Sequence, residues 1–321
     1  MVRTGFSRLT RYFSYLVVVV ALVLIPTQLN SYYIFVLNSI GVFAIVGIGY
    51  NLLAGMSGLL SIGHQGFFAI GAYTAGLLAL KLGLPFIFTI PAAGFITAIT
   101  GLLLGFPSLR MTGFYLAIST LVFGIAVVKT LKLWKGLTFG AGGFYVPEPR
   151  LGSLVLNTDL ELYYLIMGCL VLLALAARNI VKSGTARAWL AIRDNETAAS
   201  CMGINIGKYK LLVFVVSAFY TGIGGALYAY LVSAINPGVF HLWMGIFFVA
   251  MVVLGGTGAP VGGAIVGSIF LYGLPELLRP LREIQYLVFG VAIILAMLFM
   301  PGGVWGAIGM LFKRFVRGNE T

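Results

Sequence analysis

The segment GTARAWLAIRDNETAASCMGIN (residues 184–205) decides how this chain is read. It carries Arg187, Arg193, Asp194 and Glu196, in a protein of 321 residues of which 9% are charged and 60% hydrophobic. A soluble domain holds roughly 25% charged residues, so composition alone points to a lipid solvent. Apolar runs flank the segment at 161–180 and 209–232, each long enough to cross a hydrocarbon layer of about 30 Å as a helix. A charged stretch between two such runs is a loop in water. The chain is therefore expected to be an all-α polytopic membrane protein.

Working outward, the same criterion gives apolar spans at 14–30, 33–53, 57–80, 84–105, 113–131, 161–180, 209–232, 243–255, 260–278 and 285–300. Ten spans, within a range of eight to ten, put both termini on one side. The eighth run is too short for a straight crossing at about 1.5 Å per residue, and is expected to be broken or re-entrant. Residues 1–321 read as a single transmembrane domain, and its 43 glycines suit helices that approach closely in lipid. VLGGTGAPVGG (253–263) echoes LLAGMSGLLSIG (52–63), each a Gly-rich break between apolar runs. The echo predicts a two-fold internal repeat of the kind transporters use; chance likeness between two Gly-rich membrane segments is the competing account.

Charge tests the topology. With the N-terminus cytoplasmic, Arg3, Arg8, Arg11, Arg110, Arg178, Lys182, Arg187, Arg193, Lys208, Lys210, Lys313, Arg314 and Arg317 fall inside. Lys81, Lys129, Lys132, Lys135, Arg150, Arg279 and Arg282 fall outside, so the 20 basic residues divide 13 to 7 in favour of cytoplasmic termini. Residues 132–160 become an extracytoplasmic loop and 181–208 the longest cytoplasmic one. The start of the chain, Arg3 to Arg11 before YLVVVVALVLI, imitates a secretory signal, but no small-residue cleavage site follows, and a retained first span is expected. The net charge of +12 is scattered between apolar runs and forms no stripe for nucleic acid.

Catalytic chemistry finds no foothold. Cys169 and Cys201 are too few for a disulfide framework or a metal cluster, and His64 and His241 lack ligand spacing. No GxxxxGK[ST] occurs, so the chain is not expected to hydrolyse ATP, to be an enzyme, or to hold a cofactor. Within the opening segment, Ala-rich helix formers run from Thr185 to Met202, and Gly203 with Asn205 forms a stop. Trp189, Ile192, Glu196 or Thr197, Ala199 and Met202 recur three or four apart and share a face. Such an amphipathic helix lies in the headgroup layer, links two spans, or docks in a groove on a soluble partner.

TARAWLAIRDNETAASCMGIN resembles the cytoplasmic coupling segment of ABC importer permeases, with its Glu-Ala-Ala…Gly pattern matched at Glu196, Ala198, Ala199 and Gly203; Thr197 stands in place of the first Ala. The flanking R-x-W-x-A-I-R-x-x-E, Arg187 to Glu196, is similar to the Liv-type permeases that import branched-chain amino acids. NLLAGMSGLLSIGHQGFFAIGAYTAGLL (51–78) resembles that group's S-x-G-H-x-x-F-F-x-x-G-A-Y signature at Ser61, Gly63, His64, Phe67, Phe68, Gly71, Ala72 and Tyr73. LTFGAGG (137–143) is similar to its L-T-x-G-x-x-G, with Gly142 where a polar residue is common, and VVLGGTGAPVGGAIVGSI (252–269) to its second Gly-rich break. In order, these cover most of residues 51–300.

The resemblance implies the membrane subunit of a binding-protein-dependent importer in a bacterial-type inner membrane. It implies a second permease subunit as heterodimer partner, two cytosolic ATPases that carry ATP and Mg, and an extracytoplasmic solute-binding protein. The same architecture with urea, short amides or aromatic acids as cargo is the alternative; an ion-coupled carrier or channel is disfavoured by the lack of a mid-span acid. Coupling to the ATPases is expected at Arg187, Trp189, Arg193, Glu196, Ala199 and Gly203. A substrate pathway or gate is expected at Ser61, His64 and Gln65, polar groups after Gly55 and Gly58, and at Gly255, Gly256 and Gly258, which permit unwound backbone. The competing account makes His64 an interhelical packing pin, and Phe67, Phe68 and the aromatics of 243–248 ordinary packing.

Overall fold

A computed structural model of the protein describes residues 25–277, apart from 109, 110, 112 and 153, and scattered positions between 287 and 307. Six helices among the described residues are long and apolar enough to span a membrane. They are α1 (Ser31–Asn51, continued by a π turn at Leu52–Met56), α2 (His64–Leu82), α3 (Phe86–Ser108), α4 (Gly113–Leu133), α5 (Asp159–Lys182) and α8 (Ile206–Val232). Between α5 and α8 lie two short helices, α6 (Gly184–Asp194) and α7 (Glu196–Cys201). The chain continues through α9 (Leu242–Gly255) and α10 (Gly262–Ser268), and a second π turn at Ile269–Gly273 leads into a last helical turn at Leu274–Leu277. The multi-pass, mainly helical architecture is as expected. The count of ten is not reached among the described residues. The runs at 14–30 and 285–300 lie largely outside them, as do nine of the basic residues used to orient the chain: Arg3, Arg8, Arg11, Arg110, Arg279, Arg282, Lys313, Arg314 and Arg317. The fold is also not purely helical: Phe144–Tyr145 pairs antiparallel with Ala234–Ile235, and Arg150–Leu151 with Leu154–Val155.

Helix starts follow local chemistry. At α5 the Thr158 hydroxyl accepts from the Glu161 N–H, while the Glu161 carboxylate accepts from the N–H groups of Asn157 and Thr158, a closed capping box. The run expected as helix from 57 begins only at His64, because Ser57 to Gly63 form the non-helical break between α1 and α2. At 14 residues, α9 is about 21 Å long, short of the roughly 30 Å core. Just ahead of it Phe240 is fully buried against Phe68 and Tyr73, in the middle of α2. The chain therefore enters the body before α9 starts, and α9 carries it on to the end that holds Asn51 and the second break, so this segment is a crossing broken ahead of a short helix and not a re-entrant loop.

α8 is the central post and packs on α1, α2 and α3. In its most apolar window 67% of residues are buried, against 22% for α4, so α8 is core and α4 is rim. Small residues set the closest crossing: a Cβ on Gly71 of α2 would overlap the carbonyl of Gly222, and one on Gly225 that of Phe68. The rim helices expose Phe95, Ile99, Leu103, Phe106, Phe114 and Tyr115, as a lipid-facing surface should. Segment 144–145 meets 234–235 at one end of the body. At the other end, Arg193 after α5 reaches Gly55 at the end of α1, and Asn51 reaches Gly256 after α9. The elbow and both Gly-rich breaks thus share one end.

Candidate functional site

The site is the meeting of three unwound or bent segments: the first break (Ser57–Gly63), the second break (Gly256–Val261) and the elbow formed by α6 and α7. Non-helical backbone at membrane depth needs internal partners. In the first break the Ser61 N–H donates to the Tyr50 hydroxyl at 3.4 Å, and the Ile62 N–H donates to the Thr120 hydroxyl at 3.1 Å. The Ser57 hydroxyl donates back to the Leu53 carbonyl at 2.6 Å.

His64 opens α2 with no exposed surface. Its Nδ1 lies 2.8 Å from Ser61 Oγ and its Nε2 2.8 Å from Ser217 Oγ on α8, with Tyr50 and Phe67 set edge-on to the ring. A neutral imidazole between two hydroxyls donates at one nitrogen and accepts at the other, and both are satisfied here. Gln65 is buried beside Gly124 of α4 and Gly245 of α9, and its Oε1 has no hydrogen-bond partner. Ser61 and His64 thus meet inside the helix bundle, while Gln65 is buried against α4 and α9. Phe67 and Phe68 are likewise buried, Phe68 against Phe43, Tyr228, Phe240 and Phe248, whereas Trp243 and Phe247 are exposed.

The second break is held by backbone. A Cβ on Gly255 would overlap the carbonyl of Gly263 across the turn, and Gly256 has φ 118°, a conformation an L side chain rarely adopts. Gly258 has open space around its α-carbon. The clasp comes from α1: the Asn51 side chain donates to the carbonyls of Gly256 at 3.0 Å and Ala259 at 3.3 Å. Beyond α9, Phe43, Tyr228, Met244, Phe248, Met251 and Tyr272 line a mainly apolar cavity of about 480 Å³, to which His241 and Ser268 add polar groups.

The elbow is two helices where the sequence predicts one. Asn195 is extended (φ −163°, ψ 110°) and its Oδ1 accepts from the Ala198 N–H, so it ends α6 and caps α7. The bend resets the helical phase. Trp189, Ile192 and Ala199 stay on the buried side, but Met202, expected on that face, is 83% exposed. Trp189 is fully buried and its indole N–H donates to the Tyr209 carbonyl at 2.9 Å. Arg193 donates to the Gly55 carbonyl at 2.5 Å, its stem 3.1 Å from where a Cβ on Gly58 would sit. Glu196 forms an ion pair of 2.5 Å with Lys210, which is 3% exposed. Trp189, Ala199 and the head of Arg193 therefore engage this chain's own body. Arg187, Leu190, Ala198, Met202 and Gly203 face outward.

Sequence reasoning missed Asn51, Ser217, Thr120 and Lys210. Each lies in or beside an apolar run, and for Asn51 and Ser217 that isolation was the available signal. Among the described residues, no three His, Cys, Asp or Glu side chains gather as a metal would require.

A family profile described as branched-chain amino acid transport system / permease component matches residues 32–297. The chain is 33% identical over 258 residues to the high-affinity branched-chain amino acid transport system permease protein LivM of Salmonella typhimurium, covering 73% of this chain and 60% of that protein. It is 30% identical over 199 residues to the corresponding permease protein LivH of Escherichia coli K12, covering 58% of this chain and 63% of that one. Ribose import permease protein RbsC of Haemophilus influenzae is 26% identical over 230 residues, 67% of each chain. The chain thus matches about three fifths of the length of its LivM and LivH relatives. No solved structure matches it.

Proposed function

The chain belongs to the family of branched-chain amino-acid transport permease components, and from that premise we propose that it is the membrane subunit of an ATP-driven importer for branched-chain amino acids. In this reading it sits in an inner membrane with cytoplasmic termini and pairs with a second, related permease. LivM and LivH, both similar to this chain, are named as permease proteins of one kind of system, which supports such a pairing. Two cytosolic ATPases supply the force, with ATP and Mg bound to them, and an extracytoplasmic binding protein delivers the solute.

The observation that carries the reading is the elbow's two-sidedness. Its inner face is fastened by Trp189 to the Tyr209 carbonyl, by Arg193 to the π turn that ends α1 and by Glu196 to Lys210. Its outer face, Arg187, Leu190, Ala198, Met202 and Gly203, is open to a partner. A push on the outer face is passed to α5, α8 and the break, biasing outward- against inward-open states. The apolar cavity over α9 suits aliphatic side chains better than sugars, and its size falls within the range of roughly 300–1,000 Å³ usual for small-molecule sites.

The test is uptake of labelled leucine into proteoliposomes holding the chain, its partner permease and both ATPases, with the binding protein outside and ATP inside. Leucine should accumulate only with ATP and both ATPases present. Full uptake without any ATPase would overturn the proposal, and accumulation of urea or an aromatic acid in place of leucine would reassign the cargo.

A further inference from the structure

Asn51 closes α1, one residue before the π turn, and is fully buried. Its Nδ2 spans the second break, donating to the carbonyls on either side of Thr257 and Gly258. Four residues on, in the same π turn, the Gly55 carbonyl accepts from Arg193 of the elbow. The last carbonyls of a helix have no partner within it, so Gly55 is a ready acceptor. One short piece of backbone, Asn51 to Gly55, therefore holds the elbow on one side and the second break on the other. Both attachments join positions far apart in sequence, 138 and 205 residues.

Asn51 is also left half-satisfied. Its Oδ1 is buried without a hydrogen-bond partner, and a buried unpaired acceptor is destabilising. If the residue served packing alone, an apolar side chain of similar volume would avoid that cost. What an apolar side chain cannot supply is the pair of donors to Gly256 and Ala259.

We propose that Asn51 is a positioning residue of the transport cycle. With Arg193 it makes the π-turned end of α1 a rigid link through which a displacement of the elbow reaches the second break, so that both breaks move as one unit. The proposal rests on the reading that ATPases drive the elbow, and it adds the route and the residue. Donors, not size, are what the link requires: Asn51→Leu removes them at similar volume, Asn51→Asp sets a carboxylate against two carbonyls, and Asn51→Gln restores an amide.

Two measurements test it in the full complex. The first is leucine moved per ATP hydrolysed, at matched amounts of assembled importer. Asn51→Leu and the surface-accessible Arg193→Ala should each lower this ratio about tenfold, within the range known for coupling between sites. The double variant should be no worse than either single one, because both cut the same link, and Asn51→Gln should recover part of the ratio. An unchanged ratio in Asn51→Leu, or single effects that multiply, overturns the proposal. The second measurement does not depend on transport. Nitroxides on Cys201 and on Thr257→Cys, in a Cys169→Ser background in nanodiscs, report the elbow-to-break distance by pulsed electron resonance. A narrow distribution should broaden in Asn51→Leu and in Arg193→Ala; unchanged widths in both overturn the link. Absence of ATP-driven uptake in the parent complex would instead refute the importer reading, and the distance measurement would still decide whether the link exists.

Discussion

The two Gly-rich breaks look alike in sequence and are fastened differently, though each has a glycine pressed against backbone: a Cβ on Gly63 would overlap the Thr120 carbonyl, as one on Gly255 would the Gly263 carbonyl. The first follows a span of 26 residues and is held by side chains, Tyr50, Thr120 and His64 with its two serines, while Arg193 of the elbow holds Gly55 just ahead of it. The second follows a helix of only 14 residues and is held by glycine backbone in close contact, with the donors borrowed from Asn51. The lesson is about where sensitivity lies. Both breaks fail by gaining a carbon at their contact glycine, Gly63 or Gly255, whereas only the first also depends on several side-chain hydrogen bonds of its own.

The largest effect that follows is at the second break. Gly255→Val puts branched carbon where the Gly263 carbonyl lies, and neither backbone has room to yield. Overpacking of this kind costs about 1–3 kcal/mol and more against fixed backbone. Size-exclusion profiles and thermal denaturation in detergent should show loss of the folded protein; a stable Gly255→Val variant would break the comparison. Next comes the elbow's ion pair with α8. Glu196→Lys leaves Lys210, 3% exposed, without its partner and beside a like charge. Splitting a buried pair costs about 3–5 kcal/mol, but Glu196 is 41% exposed, and a loss of about 2 kcal/mol is expected after discounting for solvent. The elbow should become protease-sensitive while the spans remain folded, as limited proteolysis would report.

A smaller loss is expected at His64. His64→Ala strands the hydroxyls of Ser61 and Ser217, worth about 1–2 kcal/mol in a membrane interior. Melting temperature should fall while uptake per folded molecule holds, which identifies a packing pin; uptake lost out of proportion to stability would identify a gate. The smallest effect is the control. Gly258→Ala adds a methyl group where nothing lies within 4 Å, so stability should change by less than about 0.5 kcal/mol. A large change there would show that the second break is more confined than its backbone contacts imply.

Much of the fold was legible because lipid imposes a simple rule on sequence. Five of the predicted runs became spans within a few residues of their expected limits, the run at 57–80 starts seven residues late at His64, and the short eighth run became the 14-residue α9 of a broken crossing. Periodicity failed at the elbow because a capping residue does not announce itself in a hydrophobic pattern. Asn195 both ends α6 and starts α7, and the phase shift turns Met202 outward. At the candidate site, Ser61, His64 and Gln65 stand out as polar groups after a Gly break; all three are buried, and Ser61 and His64 are hydrogen-bonded. Ser217 and Asn51 did not stand out, since a lone hydroxyl or amide in an apolar run carries no sign of its partner.

The chain's solvent, its breaks, its charged elbow and its family were written in the order of its residues, because hydropathy, glycine and charge act locally. Which face of the elbow is buried, which hydroxyls hold His64, and which amide bridges the breaks were decided only when the helices packed. Those contacts join residues 138, 153 and 205 positions apart, and no local pattern specifies a hydrogen bond at that range.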